Sequence, residues 1–238
     1  MNISIQPTIK NFKRFSAFTL LSISSLFFNS CTKNAAPVPD TAFLSIMNTS
    51  PTLATFNIYV DQSKINAGGA VPFNGSTSYF QITPGSHSVK FTTGSSTESI
   101  ITKDVTLEAN TINSLFLIDR GTNMDFFKIK DELGSVSSTK AFVRFVNLSP
   151  DAPALDLAVK EGNVIIENKA YKANSQFIEV EAKTYVFEIR NKATGARLGE
   201  ELSSMELKAG KSYTIISTGL VTPGQTEHGI QGKIITNQ

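Results

Sequence analysis

Apolar and polar residues alternate along this chain in short runs. Phe56, Ile58 and Val60 flank Asn57 and Tyr59, and Leu155, Leu157 and Val159 flank Asp156 and Ala158. A period of two turns one apolar face inward and one polar face toward water, which is the pattern of a half-buried strand. Similar runs recur at 142–147, 185–190 and 213–217. Turn signals separate them: Ala67-Gly68-Gly69, Pro84-Gly85, Thr93-Gly94-Ser95 and Ala209-Gly210. No segment sustains a helical period. Roughly seven short strands per hundred residues predict immunoglobulin-like β-sandwiches, so the expected fold class is all-β.

The pattern also repeats. Ala42-Phe43-Leu44-Ser45-Ile46-Met47-Asn48-Thr49-Ser50-Pro51 aligns with Ala141-Phe142-Val143-Arg144-Phe145-Val146-Asn147-Leu148-Ser149-Pro150 at an offset of 99 residues, ungapped through Val60 and Val159. His87, Val89 and Phe91 answer Tyr185, Phe187 and Ile189 at an offset of 98, and Leu107 answers Leu207 at 100. Small drifts of this kind are what changes in loop length produce. A period near 100 is too long for a solenoid and suits two tandem, independent sandwich domains. The expected organisation is repeat 1 over 42–130, a linker over 131–140 and repeat 2 over 141–238.

The first thirty residues follow another rule. Lys10, Lys13 and Arg14 give a positive start, with no acidic residue before Cys31. The apolar stretch 15–28 follows, shorter than the roughly 20 residues a membrane-spanning helix needs and suited to an export signal. It ends Leu26-Phe27-Phe28-Asn29-Ser30-Cys31, which resembles a lipobox, the recognition site of lipoprotein signal peptidase. That resemblance implies a signal peptide over 1–30, cleavage before Cys31, a diacylglycerol thioether on its sulfur and acylation of the new N-terminus. Phe28 departs from the commonest lipobox and fits the looser versions of Bacteroidetes-like bacteria. Each buried methylene contributes about 0.8 kcal/mol, so two or three acyl chains hold a protein on a membrane stably. Residues 31–41 become a lipidated tether stiffened by Pro37 and Pro39. The expected location is the outer membrane. The periplasmic side is favoured, because Thr32-Lys33-Asn34-Ala35-Ala36 lacks the acidic cluster that accompanies surface export.

Loss of that signal changes the charge and the redox chemistry. Without Lys10, Lys13 and Arg14 the 22 basic side chains become 19 against 20 acidic ones, and the net charge of +2 becomes −1. A near-neutral chain with scattered charges offers nucleic acid no electrostatic footprint. Cys31 is the single cysteine, so no disulfide staples the fold and apolar burial must hold it.

The stretch 141–156 carries a second resemblance. Its strand, followed by Ser149-Pro150-Asp151-Ala152-Pro153-Ala154-Leu155-Asp156, is similar to the signature of domain-of-unknown-function family 4397. The similarity is clear in repeat 2 and weaker in repeat 1, where Thr52 and Asn57 replace the two carboxylates. It implies a bacterial cell-envelope protein, often with tandem copies, and no assigned activity. Pro150 and Pro153 fix φ and lack N–H donors, so this stretch cannot sit inside a paired strand. A rigid corner is expected between a strand leaving at Asn147 and one starting near Leu155, with Ser149 and Asp151 accepting backbone N–H groups. Calcium held by Asp151 and Asp156 is the alternative. Thr52 and Asn57 oppose it, since repeat 1 keeps Ser50 and Pro51 without the carboxylates.

Catalytic chemistry finds few of the groups it needs. A nucleophilic triad requires a histidine beside its serine or cysteine, and His87 and His228 are the only two. His87 occupies the apolar-face slot that Tyr185 fills in repeat 2. His228 follows Pro223-Gly224 and is expected to be exposed. No zinc set, phosphate loop or other cofactor site is expected. Glycan stacking has no tryptophan to use, which leaves Tyr59 and Tyr79. The expected function is a lipid-anchored, non-enzymatic binding module with a protein or glycan partner in the envelope. Its alternatives are a scaffold subunit joined through β-edges and, more remotely, a cryptic hydrolase.

Overall fold

The computed structural model describes residues 40–132 and 137–237. The signal peptide, Cys31, nearly all of the tether and the middle of the 131–140 stretch lie outside the described residues. The described chain belongs to one compact unit, Pro39–Gln238. It is all-β, with one short 3-10 turn, Gly121–Asn123. Among the described residues no helix is long and apolar enough to cross a membrane.

The first half contributes β1 (Ala42–Asn48), β2 (Phe56–Val60), β3 (Ser63–Lys64), β4 (Phe80–Ile82), β5 (Gly85–Thr93), β6 (Ser99–Leu107), β7 (Ile112–Ile118) and β8 (Asp125–Lys130). One sheet has the order β4-β1-β7-β8 and the other β3-β2-β5-β6. Strands β1 and β7 run parallel, from Phe43 opposite Ile112 to Asn48 opposite Leu117. Alternating residues of both sheets meet between them: Leu44, Ile46, Phe56, Ile58, Phe91, Leu115 and Leu117 are fully or almost fully buried. The Phe56 and Phe91 rings meet edge to face, 6.1 Å between centroids. Burying each such side chain is worth about 1.5–3 kcal/mol.

The second half repeats the pairing scheme with β9 (Lys140–Asn147), β10 (Leu155–Val159), β11 (Val164–Lys169), β12 (Ala173–Asn174), β13 (Ile178–Glu181), β14 (Thr184–Tyr185), β15 (Phe187–Asn191), β16 (Met205–Glu206), β17 (Ser212–Thr218) and β18 (Gln231–Thr236). Strands β9 and β17 are parallel as β1 and β7 are, with Phe142 opposite Ser212 as Phe43 is opposite Ile112. β18 flanks β17 as β8 flanks β7. Its core gathers Val143, Phe145, Leu155, Leu157, Phe187, Ile189 and Ile215.

A third cluster joins the halves. Met47, Phe116, Ile118 and Ile129 from the first meet Val146, Leu148 and Ile216 from the second. These residues lie on the outer faces of β1, β7, β8, β9 and β17, where alternation predicts a polar face toward water. That expectation fails for the runs 142–147 and 213–217, in which every residue is buried on both faces. The physical reason is the partner sheet: each outer face is covered by its counterpart from the other half.

The contact has an internal two-fold logic. Met47 corresponds to Val146 and Phe116 to Ile216, while Ile129 lies opposite Ser114 as Ile235 lies opposite Thr214. Polar positions correspond too, but carry different groups. Ser45 matches Arg144. Asp131, whose N–H binds the Ile112 carbonyl, matches Asn237, whose N–H binds the Ser212 carbonyl. Arg144 and Asp131 are 2% and 4% exposed and pair across the joint.

Candidate binding groove

The Ser-Pro-Asp motif folds as a corner. β9 ends at Asn147 and β10 begins at Leu155, and the Ala152 N–H binds the Ser149 carbonyl at 3.3 Å, a turn with Pro150 in the position that suits its fixed φ. Pro153 lies in the link that leads on to β10. Asn147 organises the exit: its Oδ1 accepts the Ser149 N–H at 3.0 Å and the Ser217 hydroxyl at 2.9 Å, and its Nδ2 donates to the Lys169 carbonyl at 3.0 Å. Asn48 makes the matching contact to the Ser50 N–H in the first half. Among the described residues the buried Ser149 Oγ has no hydrogen-bond partner, so it does not accept the backbone N–H expected of it: Asn147 Oδ1 takes that role.

The two motif carboxylates serve different segments. Asp151 accepts the N–H groups of Val221 and Thr222 at 2.8 and 2.9 Å. Asp156 accepts the Asn168 N–H at 2.7 Å, and Lys192 stands 3.7 Å away. Among the described residues no three histidine, cysteine or acidic side chains group as a metal centre would need.

Both histidines are tied to local structure. His87 Nδ1 lies 2.6 Å from the Asp61 carboxylate and Nε2 lies 2.7 Å from the Thr83 carbonyl. Burial lowers its pKa, but the Asp61 and Thr83 hydrogen bonds outweigh that and hold it above the usual histidine value. The same pairing holds Asp61 below its usual range. His228 differs from the expectation of an exposed side chain: it is half-buried and stacks on Phe73, 4.1 Å between centroids and 7° between planes. Tyr59 points outward from β2 as its phase requires, and the Lys90 ammonium sits 4.5 Å from its ring centroid.

A concavity lies where no motif pointed. Residues 65–80 form a groove of about 630 Å³ at the open side of the first sandwich, within the roughly 300–1,000 Å³ typical of ligand pockets. Its origin is local. In the second half, β11 pairs with β10 from Lys169 back to Val164. In the first half, β3 pairs with β2 for two residues before the chain swings away and rejoins at Val71, which bridges to Phe56. Asn66 fills the gap: its Oδ1 accepts the Ile58 N–H at 2.8 Å and its Nδ2 donates to the Gly69 carbonyl at 2.6 Å. Segment 75–80 forms the other wall. Thr77 N–H binds the Ile46 carbonyl at 2.9 Å and Thr77 Oγ1 accepts the Ile46 N–H at 3.0 Å. The turn between the walls is tight, with the Gly75 N–H on the Pro72 carbonyl at 2.8 Å and Asn74 at φ +60°.

At one end stands Tyr79. Its hydroxyl lies 2.8 Å from the Asp131 carboxylate and 2.9 Å from Ser114, and Asn237 donates to it at 3.2 Å. Burial, and after it the Asp131 charge, pushes that hydroxyl up to about 12. The groove carries no Asp, Glu, Lys or Arg between Ile65 and Phe80, and small residues leave its backbone open. A side chain at Gly68 would meet nothing within 4 Å. Residues 65–80 open a run without Asp, Glu, Lys or Arg that continues to Val89, and that run was the signal available in the sequence. Read alone, Ala67-Gly68-Gly69 marks only a turn.

A DUF4397 domain, a domain of unknown function, is found at residues 42–158. The match covers all of the first half and ends in β10, just past the motif. No curated protein matches the sequence. Among solved structures, the Bacillus anthracis TIE protein aligns at 12% identity and a TM-score of 0.24, over 74% of this chain. The chain spans 33% of that protein's length. A family 26 carbohydrate-binding module of Eubacterium rectale Amy13K, solved with maltoheptaose, aligns at 8% identity and 0.25, over 83% of this chain and 97% of the module. A candidate cell-adhesion protein of Bacteroides eggerthii aligns at 10% identity and 0.26, over 85% and 98%.

Proposed function

We propose that this chain is a lipid-anchored binding module of the bacterial cell envelope, without catalytic activity, built from two tandem DUF4397-type repeats. Its binding surface is the groove at residues 65–80. The observation that carries the reading is a preformed, uncharged cleft on a hydrogen-bonded loop. Long ordered loops without regular structure are commonly functional. An uncharged groove lined by open backbone and hydroxyl groups suits a neutral partner, whether glycan or peptide.

The anchor supports the location. Lipid on Cys31 and the short tether would display the unit at the outer membrane, on the periplasmic side. Assembly through β-edges has less support at β6, where Lys128 donates to the Thr106 carbonyl and Lys103 pairs with Asp125 at 2.6 Å, charges that obstruct an added strand.

The test is capture from native envelope by the wild-type chain beside Gly68→Trp, which fills the groove from a position with free space. A partner held by the wild type and lost by the variant supports the groove. Equal capture by both refutes it. Mass spectrometry of the mature N-terminus checks the thioether on Cys31, and protease shaving of intact cells checks the side.

A further inference from the structure

The two repeats meet through equivalent faces, yet the joint is not symmetric. Three of the differences between the halves reach the groove. Loop 219–230 of the second half is longer than its counterpart, 119–124, and the extra length carries Glu227 and His228. It reaches the first half's corner. The His228 N–H binds the Pro51 carbonyl at 2.7 Å, Glu227 bridges to Thr52, and the Glu227 carboxylate lies 2.5 Å from Arg120 Nε. The His228 ring then covers Phe73, in the turn that joins the two groove walls.

A second clamp comes from β18. Lys233 lies opposite Ile216 as Phe127 lies opposite Phe116, so a cation stands where repeat 1 has an aromatic ring. That ammonium donates to the Asn74 carbonyl in the same turn. A third is Asn237, which donates to the Tyr79 hydroxyl at the groove's end, where repeat 1 has Asp131. The loop that delivers His228 is itself fixed at its base. Leu220 pairs with the stretch from His228 to Ile230, and Asp151 takes the next two N–H groups.

From these contacts we infer that the second repeat is a built-in template for the first: His228 and Lys233 are positioning residues that set the shape of the groove at 65–80. The inference rests on that groove as the binding surface, but its test reads backbone protection and so stands or falls apart from any ligand. Local opening of a loop shows as hydrogen exchange at its bonded amides, independently of global unfolding. The amides to follow are those of Val71, Asn74, Gly75 and Thr77, each with a backbone acceptor. In the full chain carrying His228→Ala with Lys233→Met, these four exchange at least about tenfold faster, while the amides of β5 and β17 keep wild-type rates. The conservative pair His228→Phe with Lys233→Arg retains the stack and the donor and restores protection. Unchanged exchange at 71–77 in the first variant overturns the inference. So does acceleration spread evenly over β5 and β17, because the contacts would then hold the whole unit and not the groove.

Discussion

Replacing Asp131 by alanine tests whether the two halves are joined by a buried charge pair. The carboxylate meets the Arg144 guanidinium and accepts the Tyr79 and Ser114 hydroxyls, each at 2.8 Å. Without it, Arg144 keeps Thr214 Oγ1 at 2.8 Å, the Lys130 carbonyl at 3.2 Å and the Phe177 ring 4.7 Å from its Cζ, but no anion. Breaking a buried pair by removing one partner costs about 3–5 kcal/mol. Each stranded hydroxyl adds up to about 1–3 kcal/mol, although groups sharing one network do not add fully. The expected loss is about 4 kcal/mol, or roughly 8–16 °C in Tm for a unit of this size. Arg144→Met leaves Asp131 with two hydroxyl donors and should cost somewhat less, about 3 kcal/mol. The double variant should cost about as much as Asp131→Ala alone, a coupling of about 2–3 kcal/mol. Urea unfolding followed by far-UV circular dichroism measures all three. A cost below about 1 kcal/mol for Asp131→Ala, the range of exposed pairs, or strictly additive single effects, would refute a desolvated joint.

Three further predictions follow from the described contacts. The His87 pKa is raised, so its stabilisation is complete below the unfolded value and fades as pH rises through the folded one; the lowered Asp61 pKa gives a contribution that fades as pH falls through its own folded value. The Tm gap between wild type and Asp61→Asn should therefore be widest near about pH 5–6 and narrow on either side. Asp151→Ala hands two N–H groups over to water at an exposed site and should cost about 1 kcal/mol, while millimolar Ca²⁺ leaves the wild-type calorimetric Tm unchanged; a rise in Tm that Asp151→Ala abolishes would show that the motif carboxylates bind the ion. Gly219 sits at φ +81°, and a Cβ there would run into the Gly229 carbonyl. Gly219→Ala should cost about 2–3 kcal/mol in the same unfolding assay, and a neutral result would mean that loop 219–230 is not held as described.

The strands of this fold were legible because period-two alternation is a local property. Phe56, Ile58 and Val60 face the core as their spacing requires, and the corner from Asn147 to Leu155 follows from two prolines that cannot donate. What escaped was the cover on the outer faces. Arg144 occupies an outward slot of β9, and a polar residue in such a slot reads as solvated, because nothing in one strand's pattern shows that another sheet lies over it. The unbroken burial of Tyr213 through Ser217 reports the same cover, and residues such as Ser217 disguise it by being small and polar. His228 escaped for a related reason: its stacking partner, Phe73, lies 155 positions away. The groove was hidden because it depends on a comparison, the early departure of the chain after β3 where the second half continues as β11.

The placement of β1 bears on how this molecule would respond to pulling. The segment that would lead to the membrane enters β1 at Ala42, and that strand lies between β4 and β7 rather than at the rim of its sheet. Tension between a tethered N-terminus and a captured partner would act along the strand axis. The rungs to β7, running from Phe43 to Asn48 in parallel register, would then be sheared together and not peeled one by one. An attachment point of that geometry favours mechanical endurance over easy extension.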